Sequence, residues 1–276
     1  MAEILVIRDG DPRWWNSPDI WAVPGSDPYG PPGQPIAGEA AFVWARVFNR
    51  GDLDVSDARV NFYWSNPAAG VLRSNSTLIG SAFVDLVPGE TKDVLCVIPW
   101  LPVIVNDGHE CLVAELIHSI DPLPYPLPDE FNPPAYHQVA QRNLGVLSMK
   151  KRMLVMPIQI SAPARKGKSL VITTETGGML DKDSLRQLGL RGYRPAEEIT
   201  VRTGLSLEGG CDNGRGERWK RTLEMSLKPG TAKAVYLTIQ PQELAPRTYL
   251  LLHVISSEDK KAVGGITYAL IRAEEE

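Results

Sequence analysis

Histidine and cysteine are scarce in this chain, with four and three residues among 276. No Cys/His pair has the spacing of a zinc site. His109 and His118 lie nine residues apart, an odd separation that puts them on opposite faces of a strand; His137 and His253 stand alone. There is no Gly-x-Ser-x-Gly elbow and no cysteine with a histidine context suited to nucleophilic catalysis. Gly209, Gly210, Gly214 and Gly216 lack both the strand-to-helix setting and the Lys-Ser/Thr of a phosphate loop. No catalytic residue, metal or cofactor is therefore expected. Also missing is a basic segment followed by an apolar one at the N-terminus, so no signal peptide is expected. No run approaches the ~18 apolar residues that a membrane helix needs. Cys96 and Cys111 sit in apolar runs and read as small buried residues. An odd cysteine count argues against a secreted disulfide scaffold, though pairing of Cys96 with Cys111 stays open. Cytoplasmic synthesis is the simplest expectation, with leaderless export as the alternative.

What is present is charge segregation. Residues 1–148 carry 8 Lys+Arg against 18 Asp+Glu, a net of −10, whereas residues 149–276 carry 21 against 15, a net of +6. This supports a domain boundary near Ser148 and gives the molecule a dipole able to orient it on a charged partner. Two domains of differing surface composition would leave the same trace.

Strand patterning is also plentiful. From Glu39 to Asn49 residues alternate strictly: Ala41, Val43, Ala45 and Val47 on one face, Phe42, Trp44, Arg46 and Phe48 on the other. Both faces are largely apolar, so this strand is central and covered twice, or its second face meets the N-terminal arm. Asn49-Arg50-Gly51 and Val87-Pro88-Gly89-Glu90 read as turns. Further strands are expected over 58–64, 78–83, 91–99, 110–118 and 138–147, which completes the pattern of a sandwich. The second half shows strand runs at 154–160, 170–174, 200–207, 222–227, 234–239, 249–256 and 266–272. It also holds one short helix after Asp181, a candidate N-cap. The expectation is an all-β chain of two tandem immunoglobulin-like β-sandwich domains: an arm over 1–16, a first sandwich over 17–148 and a second over 149–276.

Aromatic residues mark the candidate binding positions. Trp14, Trp15, Trp21 and Tyr29 cluster in the proline-rich N-terminal segment, where they either make a sticky surface or fold back to cap the sandwich. Tyr125 and Tyr136 lie in a loop with six prolines over 119–137; its alternating prolines favour an extended path, as a strap or as a binding loop. Trp219 stands among Arg215, Arg218, Lys220 and Arg221, a patch with the composition of an anion or single-strand site, though a basic loop tip of this kind is usually just solvated. Residues 52–57 have half the composition of a calcium loop, without its glycine and closing glutamate.

The segments Pro18-Asp19-Ile20-Trp21, Pro35-Ile36-Ala37-Gly38-Glu39 leading into Val43–Val47, Asn49-Arg50-Gly51, Val60–Trp64, Leu86–Thr91 and Val139–Leu144 carry a resemblance. Over roughly residues 17–147 the chain resembles the CARDB group of bacterial immunoglobulin-like domains, relatives in shape of fibronectin-type modules. The Trp-rich arm and the long Pro-rich loop depart from that pattern. The resemblance implies a spacer or interaction module, with no shared catalytic residues.

The expected function is accordingly non-enzymatic: a protein–protein interaction or structural module, an accessory component of a larger bacterial assembly. A protein is the expected partner, carbohydrate a possible one, and nucleic acid is not expected. A carbohydrate-binding or adhesive protein is the first alternative. The second is a hydrolase whose site is built from scattered Asp, Glu and His.

Overall fold

The computed structural model describes residues 4–66, 68–103, 110–149, 153–197, 201–208, 219–240 and 244–273. His109, Cys211, the basic residues Arg215 and Arg218, and the tip of the glycine-rich loop lie outside them. The chain is all-β, 52% strand and 4% helix. It forms two compact units: Met1–Asn66, Leu72–Asn143 and Arg186–Gly189 in unit 1; Pro67–Val71, Leu144–Leu185 and Leu190–Glu276 in unit 2.

Unit 1 consists of two four-stranded sheets. In the first, β3 (Ala41–Asn49) is central. β1 (Leu5–Val6) and β2 (Ile20–Pro24) share one of its edges and β6 (Thr91–Leu95) holds the other. The second runs β5 (Thr77–Leu86), β4 (Val55–Ser65), β7 (Cys111–Ile117), β8 (Val139–Arg142), antiparallel throughout. The two enclose one core. Ala41, Val43, Ala45 and Val47 from the first sheet join Ala58, Val60, Phe62, Leu112, Ala114 and Leu116 from the second. The outward set of β3, from Phe42 to Phe48, is half-buried, as its apolar character requires.

Residues 138–147 read as a single strand in sequence, but the structure breaks the run at Asn143. This residue is buried and donates its backbone N–H to the Trp15 carbonyl at 2.7 Å. The chain then enters unit 2 as β9 (Leu144–Met149). The division thus falls at Asn143/Leu144 rather than at 148. The described part of the arm belongs to unit 1, because Leu5 and Val6 pair with Asn49 and Phe48.

In unit 2, β10 (Leu154–Ser161), β15 (Ala232–Gln240) and β13 (Arg202–Ser206) form a three-stranded antiparallel sheet. The larger sheet runs β14 (Thr222–Leu227), β11 (Lys168–Thr176), β16 (Thr248–Glu258), β17 (Lys261–Arg272), β9, with β12 (Arg194–Pro195) parallel to β16. Ile158, Ile160, Leu205, Val235 and Leu237 meet Leu170, Ile172, Leu252, Val254 and Tyr268 in the core between them. Residues 248–256 are buried on both faces. Part of the second face is covered by the segment after β11, where Leu180 N–H donates to the Tyr249 hydroxyl at 2.9 Å. The segment enters α1 (Lys182–Gln187), capped by Asp181, whose Oδ1 accepts the Ser184 N–H at 2.7 Å.

The exposed edge of β5 is not a clean strand template. Phe62 pairs with Gly80 but Tyr63 pairs with Leu78, so Ile79 is an extra residue in a bulge. Beyond β6, Cys96 N–H and Trp100 N–H bond the carbonyls of Val43 and Ala41, while residues 97–99 loop out between them. Ile98 from that loop lies over Gly80, where a β-carbon would sit 2.8 Å from Ile98 Cγ1 and 2.9 Å from Cys96 Sγ. Bulges of this kind discourage edge-to-edge pairing.

One carboxylate has an uncomfortable position. Glu110, just before β7, is buried and accepts the Val103 N–H at 2.8 Å through Oε1; Oε2 is buried with no hydrogen bond among the described residues. Burial pushes its pKa up to about 7. A pKa raised in the folded state means that the charged form opposes folding. Its contribution is fully retained below the ordinary carboxylate range and is lost as pH rises from about 4.5 through about 7. Glu110→Gln should equal the parent near pH 4 and exceed it by about 1–2 kcal/mol at pH 8, allowing for solvent screening. Urea denaturation at the two pH values measures this; equal stabilities at pH 8 would refute it.

Candidate aromatic cleft

The site with the most distinctive side-chain chemistry lies on the outer face of the first sheet. Register places Trp21 of β2 directly opposite Trp44 of β3, and Arg46 opposite Asp93 of β6. The indoles stack with centroids 6.0 Å apart and planes 6° from parallel. The Arg46 guanidinium lies 5.5 Å from the Trp21 ring centre and makes a two-pronged contact with Asp93, Nε to Oδ1 at 2.7 Å and NH2 to Oδ2 at 3.1 Å. The result is a row: Asp93, Arg46, Trp21, Trp44.

Tyr29 extends this row because of the loop that carries it. Gly25 takes a positive φ of 96° and turns the chain back after β2. Asp27 then organises the turn: its Oδ1 accepts Tyr29 N–H at 2.9 Å and its carbonyl accepts Gly30 N–H at 3.1 Å. Trp44 Nε1 donates to the Pro28 carbonyl at 3.0 Å, fastening the loop to the sheet. Gly33 N–H donates to Ala22 O at 3.2 Å along β2. Tyr29 is thereby set edge-on to Trp44, centroids 5.7 Å apart and planes at 68°, with 77% of its surface open. Beside these rings is a cleft of about 220 Å³, lined also by Val23, Pro32, Arg186 and Gln187.

The aromatic residues singled out in sequence divide into separate places. Trp21 and Tyr29 come together here. Trp14 and Trp15 do not: both are buried, pack edge to face at 5.6 Å, and have little ring surface to present. Tyr125 is almost wholly exposed in the Pro-rich loop, and Tyr136 is half-buried. Trp219 in unit 2 is half-buried with the Arg202 guanidinium 4.0 Å from its ring centre. Sequence reasoning placed Trp44 and Arg46 on an outer face without assigning them to a site, and it did not single out Asp93.

Other polar clusters serve the fold. Asp121 accepts the N–H groups of Ile4 and Leu5 at 3.1 and 2.9 Å, the Gln138 amide at 2.9 Å, and meets His137 Nε2 at 2.8 Å. Its oxygens are occupied in tying β1 to the chain before β8. His253 bridges Thr267 Oγ1 and the Gly177 carbonyl, each at 2.9 Å. Cys96 and Cys111 are free and buried, and burial raises both thiols, the opposite of what a thiolate nucleophile needs. Among the described residues there is no group of three His, Cys, Asp or Glu able to hold a metal ion, and no helix is long and apolar enough to cross a membrane.

No protein-family model matches the chain, and no curated protein does. Among solved structures it is similar to red sea bream transglutaminase, at 13% identity over 93% of this chain and a TM-score of 0.24; it spans 32% of that protein's length. It is also similar to the CupB6 tip adhesin from Pseudomonas aeruginosa, at 9% identity over 99% of each chain and a TM-score of 0.27. Likenesses this slight carry no argument about function.

Proposed function

We propose that the chain is a non-enzymatic interaction module, two immunoglobulin-like sandwiches in tandem, that contributes to a larger assembly by binding another protein through the aromatic cleft of unit 1. The observation that carries this reading is the pre-built row of Asp93, Arg46, Trp21 and Trp44 ending in an open Tyr29. Rigid aromatic side chains held in advance are the usual anchors of protein interfaces, because little rotamer freedom is lost on binding. A cleft of 220 Å³ is below the range of pockets that enclose small molecules and suits one or two side chains of a larger partner. Contact through side chains also fits the bulged edges of β5 and β6, which oppose addition of a partner strand. Sugar binding fits less well: Trp21 is buried and Trp44 half-buried against its neighbours, so Tyr29 alone offers an open ring.

Tyr29→Ala tests the reading. Its side chain is exposed, so the melting temperature should stay within about 1–2 °C of the parent, corresponding to at most about 0.5 kcal/mol. Loss of an interface anchor weakens binding by at least about tenfold. Co-purification from the source organism should therefore lose its partner. A Tyr29→Ala protein that retains the same partner at full yield would refute this role of the cleft.

A further inference from the structure

The aromatic cleft already holds a piece of this chain, and that piece defines a ligand chemistry. Residues 28–35 read Pro-Tyr-Gly-Pro-Pro-Gly-Gln-Pro. Pro28 and Pro32 line the cleft beside Trp21, Tyr29 and Trp44, and the Pro28 carbonyl accepts the Trp44 indole N–H at 3.0 Å. From residue 31 to residue 36 the backbone is in no helix, strand or turn. Proline fixes φ near the polyproline value, so such a run is pre-ordered and loses little entropy when it docks. Its carbonyls have no partners within the run, and an indole N–H is a donor without an acceptor function. The Pro28 carbonyl held by the indole belongs to the Asp27–Gly30 turn, and the extended run that follows brings Pro32 to the cleft. An aromatic pair with an indole N–H donor beside it suits a proline-bearing segment that offers a carbonyl, the complementarity by which aromatic grooves hold proline-rich segments.

Resting on the interaction reading above, we infer that the Trp21–Trp44 cleft is a recognition site for proline-rich extended segments, and that residues 28–33 are its built-in occupant. The partner is then a protein that presents such a segment, and the loop competes with it for Trp44. Several features of the loop agree with an occupant able to leave. The loop is joined to the sheet by few bonds, principally Trp44 Nε1 to Pro28 O and Gly33 N–H to Ala22 O. Its side chains at 26, 27, 29 and 31 are exposed rather than packed. Part of the cleft remains open beside it, with Tyr29 at the mouth.

The experiment is a chemical-shift titration of the isotope-labelled protein, following the Trp44 indole and the Gly30 and Gly33 amides. The probe is a synthetic seven-residue peptide, Pro-Leu-Pro-Tyr-Pro-Leu-Pro, with a Gly-Ser peptide of equal length as control. In the parent the proline peptide should shift these signals weakly. In a variant carrying Pro28→Gly, Pro31→Ser and Pro32→Ser, which loosens the occupant, binding should tighten at least tenfold. Trp44→Phe keeps a ring but deletes the donor, and should lose that gain even where the triple change perturbs folding. Equal affinity in parent and triple variant would overturn the built-in occupant. Shifts of equal size from the Gly-Ser peptide, or none from either peptide, would overturn proline recognition. In both cases the interaction reading would still be judged separately, by whether Tyr29→Ala loses the partner on co-purification.

Discussion

Replacing Arg73 with alanine should destabilise unit 1 by about 3–5 kcal/mol, the usual cost of leaving one member of a buried ion pair alone. Arg73 NH2 lies 2.5 Å from Glu115 Oε1, and the Glu115 side chain is 1% exposed. The same guanidinium donates from Nε to the Pro128 carbonyl at 2.8 Å and lies 4.1 Å from the ring centre of Phe131. Phe131 is buried and tilted against Tyr63 at 5.2 Å. One side chain therefore neutralises a carboxylate on β7 and holds the Pro-rich strap over the sheet. Tyr63 adds a hydroxyl 3.4 Å from Glu115 Oε2, and burial, followed by the negative charge of Glu115, raises its pKa. Arg73→Ala removes the charge, the fork and the ring contact together. The melting temperature of unit 1 should drop by about 10 °C. Arg73→Lys keeps the charge without the planar fork and should fall between the two. Arg73→Met combined with Glu115→Leu should recover most of the loss, because no buried charge is left unpaired. Six of the seven tryptophans lie in unit 1, so urea melts followed by tryptophan fluorescence read this unit. An Arg73→Ala cost under 1 kcal/mol would mean that the strap and sheet do not depend on the pair. Loosening of the strap should also appear as faster proteolysis within residues 119–137.

That lock shows which physical information a sequence carries openly and which it hides. The inward set of β3 was legible because strand periodicity is local: each second residue from Ala41 to Val47 is apolar and each is buried. The Asp181 cap was legible for the same reason, since donor and acceptor are three residues apart. Register is different. Trp21 meets Trp44 across 23 positions and Arg46 meets Asp93 across 47, and nothing within either segment states those pairings. The cleft consequently appeared in sequence only as scattered aromatics, with Trp44, Arg46 and Asp93 unassigned. The break at Asn143 was hidden likewise: residues 138–147 hold no glycine–proline or Asn-Gly stop at that point, and the distant Trp15 carbonyl takes the Asn143 N–H where the run ends. Proline-rich stretches hide most, because they lack periodicity and their burial depends wholly on what they lie against.

Trp15 is the clearest instance, and Trp15→Ala should cost unit 1 about 3–5 kcal/mol, with no direct effect on the cleft. In sequence Trp15 stands in a segment with no strand pattern, where a folded-back cap is the favoured reading and an exposed contact the alternative. In the structure it is 0% exposed. Trp14 packs edge-on at 5.6 Å, the Arg13 guanidinium lies 5.8 Å from its ring centre, and its carbonyl takes the Asn143 N–H. Continuing from that contact, Asn16 bridges to Arg142 and Ser17 N–H bonds the Gln141 carbonyl at 2.9 Å. The indole thus fills the space under an arm that is stitched backbone to backbone onto β8. Alanine leaves a large cavity there that the stitched backbone cannot close, and a poorly collapsing cavity is what places such truncations at the costly end. Tyr125→Ala, at a residue 99% exposed, should stay within 0.5 kcal/mol. The contrast between these two variants separates an aromatic that builds the fold from one that is merely on display. A Trp15→Ala protein that melts like the parent but loses its partner would return the arm to the binding surface. A destabilised one that still holds its partner at low temperature leaves recognition with Trp21, Trp44 and Tyr29.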